Sequence, residues 1–247
     1  MIAAYARRAV AAVGVAALAL AAVACGGDDS GDDATATTAP VTAPASTVGA
    51  TRGAAFAYGD GACAPEDRAD LDAPVRSFDD APRRCIDSDA TYTATFETSE
   101  GEFVVSLDTE NTPGTVNNFV TLAGYGYYDD TPIFRADPSI DLFQAGGQNN
   151  SSSPGYVIPD EGAGYTYPTG VLAMANRGSP DTGSAQWFVV TGPKAAYLDG
   201  YGTYVVFGRI TDGLDVAQAI TALGTPGGTP SRPIALDTVT ITQSPGS

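Results

Sequence analysis

Residues 91–109 read TYTATFETSEGEFVVSLDT. Tyr92, Ala94 and Phe96 alternate with polar residues, and after Ser99-Glu100-Gly101 the alternation resumes at Phe103, Val105 and Leu107. Period-two patterning on both sides of a Ser-Glu-Gly turn predicts an antiparallel hairpin with one buried face.

The pattern changes in NTPGTVNNFVTLAGYGYY, residues 111–128. Thr112 is placed to cap a helix and Pro113 suits its first position. Val116, Phe119, Val120 and Ala123 recur at i, i+3, i+4 and i+7 before Gly124 ends it. Further short strands are expected at PIFR, DLFQ, GVLAMAN, AQWFVV and YVVFGRI. A second helix, GLDVAQAITAL, places Leu214, Ala217 and Ile220 on one face and stops at Gly224, and DTVTITQ closes the series as a strand. This is not the regular alternation of a parallel sheet. The reading is mostly β. Closure into a barrel would remove exposed edges, with the two helices plugging the open ends.

Upstream of the hairpin the composition shifts three times. Arg7 and Arg8 precede sixteen small apolar residues ending at Ala24, a run short for a membrane span but suited to an export signal over residues 1–24. Cys25 follows directly and, with Gly26 and Gly27, resembles a bacterial lipobox. The expectation is a lipid on Cys25 that holds the chain to the outer face of the cell membrane, the alternatives being plain secretion or an uncleaved anchor. Residues 25–53 hold four aspartates and then a Pro, Thr and Ala tract with almost no large apolar residue, the composition of an extended linker. Residues 54–90 contain the remaining cysteines, Cys63 and Cys85. In an oxidising compartment this pair is expected to form a disulfide, worth roughly 3 kcal/mol for a loop of this length. The folded body is assigned to residues 91–247.

Across its 247 residues the chain carries 29 acidic and 12 basic residues, a net charge of −17, with Lys194 its one lysine. That balance argues against a nucleic-acid partner, which requires clustered cations. There is no histidine, which excludes Ser-His-Asp and Cys-His nucleophile systems and most zinc sites. No metal or other cofactor is expected. Asp129, Asp130, Asp137 and Asp141 could form a carboxylate pair, but the plainer reading is solvated turn residues. No glycine-rich phosphate loop leads from a strand into a helix.

Four ordered segments carry a resemblance. They are residues 92–135 (YTATF…TPIFR), SIDLFQAGG, GVLAMANRGSPDTGSAQWFVVTG and YLDGYGTYVVFGRI. Together they resemble the cyclophilins, a family of peptidyl-prolyl cis-trans isomerases. The SID segment and the cysteine-bearing N-terminal extension resemble exported actinobacterial members. The resemblance spans residues 92–243 and implies a closed eight-stranded antiparallel barrel capped by two α-helices.

It also implies a chemistry that needs no histidine. In the family pattern the arginine of the F-x-R segment is catalytic, here Arg135 beside Phe134, and Gln144 would hold the substrate carbonyl. Ala175 and Asn176 would lie along the peptide, Asn176 binding it through main-chain groups. Phe188, Leu142 and Leu198 would form the proline pocket, Gln186 would support Arg135 or Gln144, and Tyr204 matches a His or Tyr position of relatives. The partners implied are proline-containing segments of exported proteins, bound by a monomer. The alternative is a peptide-binding or chaperone module that keeps the groove without turnover. The chain departs from the pattern in the ADPSID loop, where Ile140 is expected to replace a pocket phenylalanine with Asp141 turned to solvent.

Overall fold

The computed structural model describes residues 55–246, so the leader, Cys25 and the linker lie outside the described residues. The opening hairpin forms as the alternation predicts. β1 (Ala90–Thr98) pairs with β2 (Gly101–Leu107), setting Tyr92 opposite Leu107, Ala94 opposite Val105 and Phe96 opposite Phe103. All six of these side chains are buried. The remaining elements are α1 (Pro113–Gly124), β3 (Thr131–Pro132), β4 (Arg135–Asp137), β5 (Leu142–Ala145), β6 (Val171–Met174), β7 (Trp187–Val190), β8 (Val206–Asp212), α2 (Leu214–Ala222) and β9 (Ala235–Pro245). Two 3-10 segments, Arg68–Asp70 and Pro193–Gly200, complete the set.

All strands belong to one antiparallel sheet in the order β3-β9-β1-β2-β8-β6-β7-β5-β4. The closed eight-stranded barrel is therefore corrected to an open, curled sheet of nine. The reason lies in the expected PIFR strand, which is divided. Thr131 and Pro132 pair with Leu236 and Ala235 of β9 at one edge. Arg135 to Asp137 pair with β5 at the other. Pro132 has no N–H to continue a ladder, and only Ile133 and Phe134 separate the two halves. The sheet thus curls until its edges are neighbours along the chain, with no ladder between them.

The enclosed core is aromatic. Phe96 stacks on Phe103 at 4.5 Å and meets Trp187 edge-on at 5.0 Å, while Phe103 meets Phe143 edge-on at 5.9 Å. The helix α2 packs on β2, β4 and β5, burying Ala217 and Ile220 as expected, whereas Leu214 is only half-buried.

The other helix, α1, departs from a simple amphipathic pattern. Val116, Phe119, Leu122 and Ala123 face the core, yet Thr115, Asn117, Asn118 and Thr121 are buried too. Residues 55–89 cover this second face. Asn117 Oδ1 accepts from the N–H groups of Cys85 (2.6 Å) and Ile86 (3.1 Å), and its Nδ2 donates to the Arg83 carbonyl. Tyr125 donates its hydroxyl to the Cys63 carbonyl. Arg68 pairs with Asp129, and Arg76 donates to the Tyr127 and Asp129 carbonyls. The disulfide Cys63–Cys85 closes this layer, with Cα atoms 5.5 Å apart. A side chain at Gly114 would fall on the Phe56 ring, so the glycine permits the close approach. The described residues form one compact unit.

The cap of α1 also differs from expectation. Thr112 donates to the Asp108 carbonyl instead of capping. Glu161, distant in sequence, accepts from the N–H groups of Gly114 (2.9 Å) and Thr115 (2.6 Å), satisfying donors that the helix leaves unpaired.

Candidate active site

Directly opposed residues of an antiparallel sheet project from the same face. Arg135 on β4 is opposite Gln144 on β5, Gln144 opposite Phe188 on β7, and Phe188 opposite Ala173 on β6. One row therefore carries a guanidinium, a carboxamide and an aromatic ring across four strands. The adjacent row, Asp137, Leu142 and Val190, shares that face. The intervening residues, Phe143, Val189 and Leu172, point to the other side and are fully buried in the core.

Each polar member is held. Arg135 Nη2 donates to Asp137 Oδ2 at 3.0 Å, and its side chain remains two-fifths exposed. Burial pushes the Asp137 carboxyl up, but the Ser139 hydroxyl, the Arg135 guanidinium and the Ser139 N–H outweigh it and hold it below the usual carboxylate range. The stem of Arg135 lies against Gly228, where a Cβ would stand 3.1 Å from its Cγ.

Gln144 is oriented by relay. Gln186 Nε2 donates to the carbonyls of Asn150 (3.0 Å) and Ser152 (2.9 Å), which consumes both of its N–H groups. Its Oε1 is left to accept, and does so from Gln144 Nε2 at 2.9 Å. The amide of Gln144 is thereby fixed. Of the two supporting roles expected for Gln186, it takes the one toward Gln144.

Phe188 forms an aromatic corner, meeting Tyr204 edge-on at 5.3 Å and Tyr167 at 6.2 Å. The Tyr167 hydroxyl accepts from Tyr204 N–H (2.8 Å) and donates to the Tyr204 carbonyl (3.1 Å). Leu142 and Leu198 are nearly buried members of the same apolar cluster, and Ala175 packs half-buried against it. Ala175 N–H bonds Gln186 O at 2.9 Å, whereas among the described residues the N–H and C=O of Asn176 make no hydrogen bond. Its side chain is anchored to Thr203 O and to Gly178 N–H, leaving the main-chain groups for a peptide.

Phe134 is half-buried between β3 and β4. Two sequence readings need amendment. Asp141 is not turned to solvent: its carboxylate accepts from Lys194 N–H (2.9 Å) and Nζ (3.1 Å) in a space left by Gly192. Ile140 is half-buried and packs against the apolar cluster that contains Leu142, Phe188 and Leu198. Nor are three of the four aspartates merely solvated, since Asp129, Asp137 and Asp141 each pair with a cation, whereas Asp130 is exposed. Asp137, Tyr167 and Gly228 were missed. Only the Tyr-rich run at residues 165–167 offered a signal, because the other two act through register and close packing.

The hydrogen bonds and aromatic contacts of the covering layer reach β1, α1, residues 125–129, Pro154, Tyr156 and β9, and none among the described residues involves Arg135, Gln144 or Phe188.

Comparison with known proteins agrees with this geometry. The family model described as cyclophilin type peptidyl-prolyl cis-trans isomerase/CLD matches residues 93–243. A peptidyl-prolyl cis-trans isomerase-like 1 from Aspergillus fumigatus is 39% identical over 131 residues, 50% of this chain and 78% of the relative. Peptidyl-prolyl cis-trans isomerase B of Bacillus subtilis is 40% identical over 113 residues, 44% of this chain and 76% of the relative. A cyclophilin-type isomerase crystal structure from Cryptosporidium parvum superposes with a TM-score of 0.54 at 25% identity, covering 63% of this chain and 99% of that one. A curled antiparallel sheet presenting arginine, glutamine and phenylalanine in one row, over a segment that matches along its length, places the chain in the cyclophilin-type peptidyl-prolyl cis-trans isomerase family.

Proposed function

We propose that this chain isomerises Xaa-Pro bonds of proteins outside the cytoplasm, by electrostatic stabilisation of the twisted amide. The observation that carries the reading is the in-register row Arg135–Gln144–Phe188. The barrier to rotation, about 18–20 kcal/mol, is lost amide resonance. As the C–N bond twists, the prolyl nitrogen regains a lone pair. A fixed guanidinium interacts better with that nitrogen than with either planar isomer, which is differential binding of the transition state. Gln144, held by Gln186, has its second N–H on Asn150 Oδ1 at 3.5 Å, a long contact that a substrate carbonyl would replace. Phe188, Leu142 and Leu198 seat the prolyl ring, and Asn176 offers main-chain partners to the peptide. No proton moves and no covalent bond forms.

The extracytoplasmic role rests on the leader-like segment, the Cys25 lipobox resemblance, the likeness to exported actinobacterial members and the Cys63–Cys85 disulfide, which belongs to oxidising compartments. The uncatalysed step takes tens to hundreds of seconds, slow enough to limit folding there. A proline-isomerisation assay of wild type beside Arg135→Ala tests the enzyme. Peptide binding without turnover in the wild type would instead identify a chaperone module. Mass spectrometry of the mature N-terminus tests the lipid on Cys25.

A further inference from the structure

Residues 148–153 read QNNSSS, with no apolar and no charged side chain. Asn and Ser favour turns because their side chains bond nearby main-chain groups, and this turn is built in that way. Asn149 Oδ1 accepts from Ser151 N–H at 2.8 Å. Asn149 N–H donates to Ser152 Oγ at 3.0 Å, and Ser152 N–H donates to the Asn149 carbonyl at 3.0 Å. A Cβ at Gly147 would stand 2.4 Å from that of Ser152, so the turn closes on its own base. Asn149, Asn150 and Ser151 are exposed, so these bonds rather than burial order the turn.

The shape so fixed aims two carbonyls at one nitrogen. Those of Asn150 and Ser152 accept from Gln186 Nε2 at 3.0 and 2.9 Å. A carboxamide has two orientations half a turn apart, which exchange its donor and its acceptor. Carbonyls only accept, so this pair permits one of the two. Gln186 Oε1 then faces Gln144 Nε2 at 2.9 Å, and the second N–H of Gln144 lies toward Asn150 Oδ1 at 3.5 Å. With the two carbonyls withdrawn, Gln186 is free to invert, and Gln144 inverts with it. An acceptor then stands where a substrate carbonyl needs a donor.

We propose that Asn149 and Ser152 are positioning residues of the site, which through their mutual hydrogen bonds set the polarity of the Gln186–Gln144 relay and so the affinity for the substrate carbonyl. The proposal rests on the isomerase reading for its substrate. Among the described residues neither side chain bonds Arg135, Gln144 or Gln186 directly, so both act through the main chain of the turn. Gln144 holds the carbonyl in the planar and the twisted amide alike, so the loss falls on KM more than on kcat.

The test uses the full chain, labelled with ¹⁵N, with kinetics on a proline-containing peptide. Ser152→Ala raises KM roughly 3–10-fold and leaves kcat within about twofold. The side-chain amide signals of Gln144 and Gln186 move in the same variant, while its melting temperature stays at the wild-type value. Asn149→Ala acts in the same direction. Ser152→Thr keeps the hydroxyl and restores both KM and the two signals. Ser151→Ala, in the same turn but with only its N–H bonded to Asn149, changes neither. In a Gln144→Ala background, Ser152→Ala has no further effect on KM. An unchanged KM in Ser152→Ala, unmoved Gln144 and Gln186 signals, a loss that Ser152→Thr fails to restore, or an additive loss in the Gln144→Ala background would each overturn the proposal. If the wild type shows no turnover, the isomerase reading fails by itself, and the two side-chain signals alone decide the relay.

Discussion

Arg135 on β4 and Gln144 on β5 are directly opposed residues of one antiparallel pair, so their side chains leave the sheet on the same face. The register sets their separation, and neither depends on a loop for its direction. Removing the charged donor with Arg135→Ala is expected to cost about 1.5–4 kcal/mol of transition-state stabilisation, roughly 10–10³-fold in kcat/KM. Arg135→Lys keeps the charge without the fork and falls between the two. Equal rates for wild type and Arg135→Ala in a proline-isomerisation assay would refute the mechanism.

The proposed mechanism transfers no proton, so kcat/KM is expected to be flat between about pH 6 and 8, and a bell-shaped profile would reveal an acid–base group. Asp137 contributes to stability on the acid side. Its folded pKa lies below the unfolded value, so its contribution is complete above the unfolded value of about 3.9 and is lost as pH falls through the lowered one. Asp137→Asn should therefore destabilise the chain at pH 7, with the gap to wild type narrowing in strong acid. Urea unfolding at the two pH values checks this.

Gly228 has a φ of +83° and adjoins the Arg135 stem. Gly228→Ala adds backbone strain and pushes on that stem, so it should lower kcat, about 3–10-fold if the guanidinium is displaced by a fraction of an ångström. In an Arg135→Ala background the same change should have no further effect on kcat/KM. Additive losses would mean that Gly228 acts on stability alone.

Cys63→Ser with Cys85→Ser opens a loop of sequence separation 22 and is expected to cost about 3 kcal/mol. No hydrogen bond or aromatic contact of the covering layer reaches the Arg135–Gln144–Phe188 row among the described residues, so folded variant and wild type should isomerise at similar rates. The single tryptophan, Trp187, is fully buried and reports unfolding by fluorescence. A large loss of rate with intact folding would show that the layer reaches the groove.

Elements with a clean period were legible. The alternation of Tyr92 to Leu107 and the Val116–Phe119–Ala123 stripe appear in the structure as read. The division of PIFR was not, because its two halves are recruited by strands more than a hundred residues later and seven residues later respectively, partners that local sequence does not name. The site divides in the same way. Arg135, Gln144 and Phe188 were found through ordered motifs, and the structure puts them in one row. Asp137 and Gly228 were not, since an acidic turn residue and a loop glycine gain their roles only from what packs beside them. The buried asparagines of α1 were equally illegible until residues 83–86 supplied the partners of Asn117, and Ser184 and Tyr156 those of Asn118.

The place of β1 between β2 and β9 has a consequence for how this chain acquires its fold. The first strand pairs with the last along nearly its whole length, Ala90 opposite Pro245 through Glu97 opposite Thr238. Contacts so remote in sequence demand a large loop-closure entropy before they return any stability. A nascent chain can form the opening hairpin early, but the sheet remains unfinished until β9, Ala235–Pro245, emerges. A member of the peptidyl-prolyl isomerase family is thus itself built on a topology that completes late.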